Sequence, residues 1–180
     1  MKKEIRLSGS GGQGLILAGV ILAEGAILSN LNAVQSQSYG PEARGGASKA
    51  EVIISDKNIN FPKIIKSDIL ISLTQKSFNE YSAHIKEDSI VIVDSSIEVN
   101  DQIKASIHKV PILQTANDVL KKPMTANIIT LGVLSNLIPE INPEHIKIAI
   151  SNRVPKGSEE LNIKAFEQGK VFLKEVVNAY

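Results

Sequence analysis

The residues best suited to chemistry in this sequence sit near its start, in the run Ser8-Gly9-Ser10-Gly11-Gly12-Gln13-Gly14. Ile5 and Leu7 alternate before it as in a strand, and an almost unbroken apolar stretch of helical length, residues 15–28, follows. Strand, glycine turn and helix together present backbone N–H groups and the positive end of a helix dipole to an anion, usually a phosphate. Gly9, Gly11 and Gly14 fit the G-x-G-x-x-G spacing, in which missing side chains permit a tight turn and close approach of a ligand. Taken alone, the same spacing also suits a strand-to-helix turn that binds nothing.

A dinucleotide enzyme would continue with an acidic residue about 20 positions on, at the end of its second strand, to hold a ribose hydroxyl. Here the second strand is expected over 33–37 and ends in Gln35, Ser36, Gln37 and Ser38. The nearest acid, Glu42, lies beyond Gly40-Pro41 in a loop. NAD in its ordinary mode is disfavoured, which turns attention to other phosphate-bearing ligands. A second glycine-rich segment, residues 39–46, sets Arg44 among Gly40, Pro41, Gly45 and Gly46. A guanidinium in such a loop can donate a forked pair of hydrogen bonds to a phosphate or carboxylate, or it can simply face solvent. If the two glycine segments close the first two parallel strands, they lie near each other at the sheet edge where α/β folds bind ligands.

The other polar candidates are thin. His84, His108 and His145 stand in no ligand spacing. Asp94, Ser95 and Ser96 at a strand end can contact a ligand or make an Asx turn. Asn127 falls in the first turn of an expected helix, where its side chain can cap or reach a neighbouring site. No G-x-S-x-G occurs, and no acid pair has a motif around it. A self-sufficient active site is not visible, so the chain reads as one that completes a site built by others.

Composition narrows the classes further. A net charge of +1 and an aromatic content of 4% give nucleic acid neither an electrostatic footprint nor a stacking platform. The chain has no cysteine, which removes disulfides, thiolate nucleophiles and any cysteine-held zinc or iron–sulfur cluster from it, in keeping with a cytoplasmic protein. Residues 15–28 are interrupted by Glu24 and fall short of the roughly 20 apolar residues of a membrane span. A strand and a glycine turn precede them, unlike a signal peptide. They read as a buried helix whose small residues, Ala18, Gly19, Ala23, Gly25 and Ala26, let other backbone come close. A helix apolar nearly all round needs cover on more than one side, so a sheet beneath and a further element above are expected.

Strands are expected over 48–55, 67–73, 89–94 and 105–108, and helices over 75–86, 116–120, 126–137 (capped by Thr125), 143–152 and 156–179. This alternation predicts a single α/β domain over 1–180, a three-layer Rossmann-like sandwich with a mostly parallel central sheet.

Three segments carry a resemblance: Gly9-Ser-Gly-Gly-Gln-Gly-Leu-Ile-Leu-Ala-Gly19, Tyr39-Gly-Pro-Glu-Ala-Arg-Gly-Gly46 and Asn127-Ile-Ile-Thr-Leu-Gly132. In this order they resemble the gamma subunit of 2-oxoacid:ferredoxin oxidoreductases, and the second is most like the 2-oxoglutarate branch. The resemblance covers almost the whole chain. It implies a complex in which a 2-oxoacid loses carbon dioxide on thiamine diphosphate. Two electrons then pass singly through iron–sulfur clusters to ferredoxin, and coenzyme A takes the acyl group. The sequence has no Gly-Asp-Gly thiamine diphosphate motif and no cysteine, so thiamine diphosphate, magnesium and clusters fall to partner alpha, beta and ferredoxin-like delta subunits. For this chain the resemblance implies a share in the coenzyme A site. Gly9, Ser10, Gly11, Gly12, Gln13 and Gly14 would surround the pyrophosphate, with Asn127 in support and Arg44 as the cation where some fused relatives use lysine. It implies no catalytic residue and no metal ligand. A free-standing NAD- or flavin-binding oxidoreductase and a non-catalytic assembly subunit are the alternatives.

Overall fold

The computed structural model describes residues 1–39, 47–99 and 103–173. Six strands form one sheet: β1 (Lys2–Ser10), β2 (Asn32–Tyr39), β3 (Ala47–Ser55), β4 (Ser67–Ser72), β5 (Ile85–Asp94) and β6 (Ser106–Val110). Their order across the sheet is β2-β3-β1-β4-β5-β6. The pairs β1–β4, β4–β5 and β5–β6 are parallel, while β3 runs antiparallel to both of its neighbours. The sheet is therefore mostly parallel, with one strand reversed.

That reversed strand changes one expectation. β2 points the same way as β1 but does not lie beside it, because β3 folds back as a hairpin partner and takes the place between them. Burial explains the order. β3 buries Ala50, Val52 and Ile54 on one face and Ile53 on the other, as an inner strand must. β2, with Gln35, Ser36, Gln37 and Ser38, suits an edge, where polar side chains and unpaired backbone meet water.

One face of the sheet carries most of the helical layer. α1 (Leu15–Leu28) lies between the sheet and α5 (Pro143–Arg153), which is the double cover its apolar circumference requires. A Cβ on Gly19 would touch Ala50 and Gln35, and one on Gly25 would touch Ile146, so small residues admit the neighbours on both sides. α4 (Ala126–Ser135) is buried along its whole length and crosses α6 (Glu159–Val171). The other face is covered more lightly, by α2 (Gln75–Tyr81) and the Ile97 turn over Leu70, Val91 and Val93.

Under α2 the sheet buries an ion pair. Arg6 Nε donates to Glu51 Oε1 at 2.8 Å, and its other nitrogens donate to the carbonyls of His84 and Ile64, each at 3.1 Å. The Tyr81 ring stands 5.5 Å from the guanidinium, and burial pushes the Tyr81 phenol up from its ordinary pKa.

Several element limits differ from the sequence reading. α2 stops at Tyr81 because Ile85 and Lys86 join β5, where Ile85 pairs with Ser67. The expected helix over 116–120 is instead the short α3 (Ile112–Gln114) followed by a wider turn over Thr115–Val119. Thr125 does not cap α4 with its side chain. It belongs to a tight turn, Pro123–Thr125, that runs into α4, and its hydroxyl donates to Lys122 O at 2.7 Å. The last helix begins at Glu159, since Pro155 and Gly157, the latter at φ 86°, form a turn first. No helix among the described residues is long and apolar enough to cross a membrane.

Candidate functional site at the glycine turn

β1 and β4 are tied together at their C-terminal ends. Leu73 N–H donates to Ser8 O at 2.9 Å, and the Ser8 and Ser72 hydroxyls are 2.9 Å apart. From here the chain leaves β1 through α1 on one face and β4 through α2 on the other. The connections diverge at this point, which opens a crevice of the kind where α/β sheets hold ligands.

The glycine turn sits over that crevice. Gln13 folds back so that its Oε1 accepts from Ser10 N–H at 2.8 Å, and it occupies the space that a Cβ on Gly9 would need. Gly12 and Gly14 take φ of 88° and 72°, which residues with a Cβ adopt at a cost. Gly14 begins α1 with no side-chain cap among the described residues, so the N–H groups of the first turn are open to water or a ligand. Gly11 differs from the others. Its φ is not positive, and a Cβ there would meet none of the described residues within 4 Å.

Asn127 closes the turn from below. Its Nδ2 donates to Gly14 O at 3.2 Å, across 113 positions of sequence. A carbonyl only accepts, so the amide orientation is fixed and Oδ1 points away from Gly14. The side chain is 5% exposed, and Oδ1 has no hydrogen-bond partner among the described residues. A buried acceptor left bare costs about 1–3 kcal/mol. Asn127 lines a cavity of about 560 Å³ together with Gly12, Gly14, Leu17, Lys121 and Leu161. A shallower groove of about 410 Å³ passes Gly11, Gln13 and Asn117, and Gly12, Pro123 and Met124 border both. Among the described residues no carboxylate lines the cavity or the groove.

Gly9 to Gly14 and Asn127, read separately from the sequence, are thus brought together. Arg44 and the rest of 40–46 lie outside the described residues. Tyr39 and Ala47, which flank that segment, are both at the sheet edge where β1 ends, since Tyr39 and Gly9 each pair with Ser48. Strand spacing puts the end of β2 about 10 Å from the end of β1. The polar groups at the end of β5 go to structure. Asp94 Oδ1 accepts from Ser96 N–H at 3.0 Å and from the Ser96 hydroxyl, and Oδ2 accepts from Leu113 N–H at 2.8 Å, which is the turn reading. His145 meets Ser29 and His108 meets Ser106, while burial lowers the His108 pKa. Among the described residues no group of His, Cys, Asp or Glu could hold a metal ion. Sequence reasoning passed over Lys121, Lys122 and Met124, although Lys-Lys-Pro between two helices marked a turn beside Asn127.

The pyruvate ferredoxin/flavodoxin oxidoreductase family model matches residues 4–171. The chain is 49% identical to 2-oxoglutarate synthase subunit KorC of Methanocaldococcus jannaschii, covering 98% of this chain and 96% of that one. A keto/oxoacid ferredoxin oxidoreductase gamma subunit from Geobacter sulfurreducens superposes with a TM-score of 0.86 at 43% identity, over 96% of each chain. The fold also recurs, with a TM-score of 0.86 at 23% identity, within a 2-oxoglutarate:ferredoxin oxidoreductase chain from Magnetococcus marinus; it covers 96% of this chain and 31% of that one. The latter structure contains 2-oxoglutarate, coenzyme A and succinyl-CoA. This chain belongs to the pyruvate ferredoxin/flavodoxin oxidoreductase family, as a gamma-type subunit most similar to its 2-oxoglutarate branch.

Proposed function

We propose that the chain serves a 2-oxoglutarate:ferredoxin oxidoreductase by supplying part of the coenzyme A site and a surface for its partner subunits. The complex would convert a 2-oxoacid, coenzyme A and oxidised ferredoxin into acyl-CoA, carbon dioxide and reduced ferredoxin, passing two electrons one at a time. Thiamine diphosphate, magnesium and iron–sulfur clusters belong in this reading to alpha, beta and delta partners. This chain has no cysteine to ligate a cluster. Its own residues bind and orient the acyl acceptor. Gly9, Ser10, Gly11, Gly12, Gln13 and Gly14 would receive the pyrophosphate, with Asn127 beneath the turn and Arg44 as an added cation.

The observation that carries this reading is Gly11. Among the described residues neither backbone angle nor packing asks for glycine there, yet the residue borders an uncapped helix N-terminus and an open groove. Space that the described residues do not use suits an incoming ligand. The described residues fit a pyrophosphate: uncapped first-turn N–H groups, a helix dipole and no carboxylate among those lining the site. Gly11→Val in the assembled enzyme tests it. The KM for coenzyme A is expected to rise about tenfold or more while the KM for 2-oxoglutarate is unchanged. An unchanged coenzyme A KM in a correctly assembled variant would overturn the assignment.

A further inference from the structure

The turn between α3 and α4 sets two adjacent lysines beside the cavity, one of them in a backbone conformation unusual for lysine. Lys121 holds φ 56°, a left-handed conformation that glycine or asparagine adopts far more readily than lysine. The conformation is kept by Lys122 N–H donating to Ala116 O at 2.8 Å, and just before it Leu120 N–H reaches back five residues to Thr115 O. Such wide turns are frequent at functional sites. Lys121 and Lys122 both line the cavity beneath the glycine turn, and neither ammonium has an ion-pair partner among the described residues. The same cavity holds the bare, buried Oδ1 of Asn127. Leu17, Ile128, Val154 and Leu161 make the rest of its wall largely apolar, which a pyrophosphate alone would not fill.

We infer that Lys121 and Lys122 form a second phosphate site, separate from the glycine turn, and that on coenzyme A it takes the ribose 3′-phosphate. The inference rests on the coenzyme A reading of the glycine turn. A ligand with two separated phosphate groups and an apolar body meets what the cavity offers. The turn N–H groups hold one phosphate and the two ammonium groups hold the other. Asn127 Oδ1 accepts from an N–H or O–H of the body, which removes the cost of its isolation. Glycine at position 121 would relax the backbone but lose the cation. The chain thereby distinguishes coenzyme A from dephospho-coenzyme A, which carries the same thiol and pyrophosphate but no 3′-phosphate.

The test compares the two as acyl acceptors for the assembled enzyme, in wild type, in Lys121→Gln/Lys122→Gln and in Gly11→Val. Wild type is expected to favour coenzyme A in kcat/KM by about tenfold or more. The double lysine change should lower kcat/KM for coenzyme A by about tenfold, flatten its salt dependence, and leave dephospho-coenzyme A within about twofold. Gly11→Val should lower both acceptors together. A wild-type enzyme indifferent to the 3′-phosphate, or a preference that survives the lysine change, overturns the second site while leaving the glycine turn standing. If neither change affects either acceptor, the coenzyme A reading itself falls. Lys121→Gly supplies a control for folding, since it removes the cation and relaxes the backbone; loss of the preference in a chain that melts no lower is the supporting result.

Discussion

Where α4 crosses α6, Gly132 and Gly169 face each other. A Cβ on Gly132 would overlap the Phe166 carbonyl oxygen and lie 2.8 Å from Gly169 Cα, and one on Gly169 would overlap Ile129 O and lie 2.9 Å from Gly132 Cα. At the end of β1, a Cβ on Gly11 would meet none of the described residues. Both regions depend on glycine for close approach, but the first is filled by this chain's own backbone and the second by nothing among the described residues. The contrast separates a glycine that builds the fold from one that leaves room. It also explains why a glycine count in sequence cannot say which residues belong to a site.

The largest effect should fall at the filled crossing. Gly132→Ala forces two packed helices apart, and the overlap is with backbone, which cannot rotate away. A loss of about 3 kcal/mol, at the upper end of overpacking costs, is expected in urea unfolding of the chain. If Gly132→Ala leaves the midpoint unchanged, the helices do not cross this closely and the contrast fails.

Gly14 lies between the two extremes. Its φ of 72° makes any Cβ strained, and that Cβ would sit 2.6 Å from Asn127 Nδ2, a side-chain atom that can give way. Gly14→Ala should cost about 1–2 kcal/mol from the left-handed backbone. It should also displace Asn127 from Gly14 O, so stability and coenzyme A KM move together. Lys121→Gly is the reverse case. Removing the Cβ from a left-handed position relieves strain, partly offset by the greater freedom glycine has in the unfolded chain, for a net gain of roughly 0.5 kcal/mol. Thermal unfolding reads this directly; a lower melting temperature would mean that the lysine side chain itself stabilises the turn.

The sequence made some of this plain and could not reveal the rest. Ile5, Leu7, the glycines and the apolar stretch from Leu15 define strand, turn and helix because each signal is local and periodic. The apolar circumference of α1 called for cover on two sides, which the sheet and α5 supply. The position of β3 was not legible, because it depends on hydrogen bonds to two strands distant in sequence. Arg6 shows the limit of alternation: a charge between Ile5 and Leu7 belongs on the opposite face, but nothing local says that α2 will bury that face and give it Glu51. Asn127 acquires its meaning from Gly14, 113 positions away. The φ of Lys121 follows from how the preceding turn closes, which no propensity for lysine would suggest.

The smallest effect on stability, and the sharpest use of the contrast, belongs to Gly11→Val. Valine adds two methyl groups beyond the Cβ, but the Cβ enters open space and the backbone angle is one that ordinary residues accept. None of the described residues is displaced, so the melting temperature should move by no more than the roughly ±0.5 kcal/mol typical of surface positions. Reduced freedom of the unfolded chain could even favour the variant slightly. Whatever the variant loses in coenzyme A use then cannot be blamed on folding, which is not true of Gly14→Ala or Gly132→Ala. A melting temperature that falls as far as it does for Gly14→Ala would mean that Gly11 is held by a contact within the chain. The room beside the glycine turn would then belong to the fold and not to a ligand.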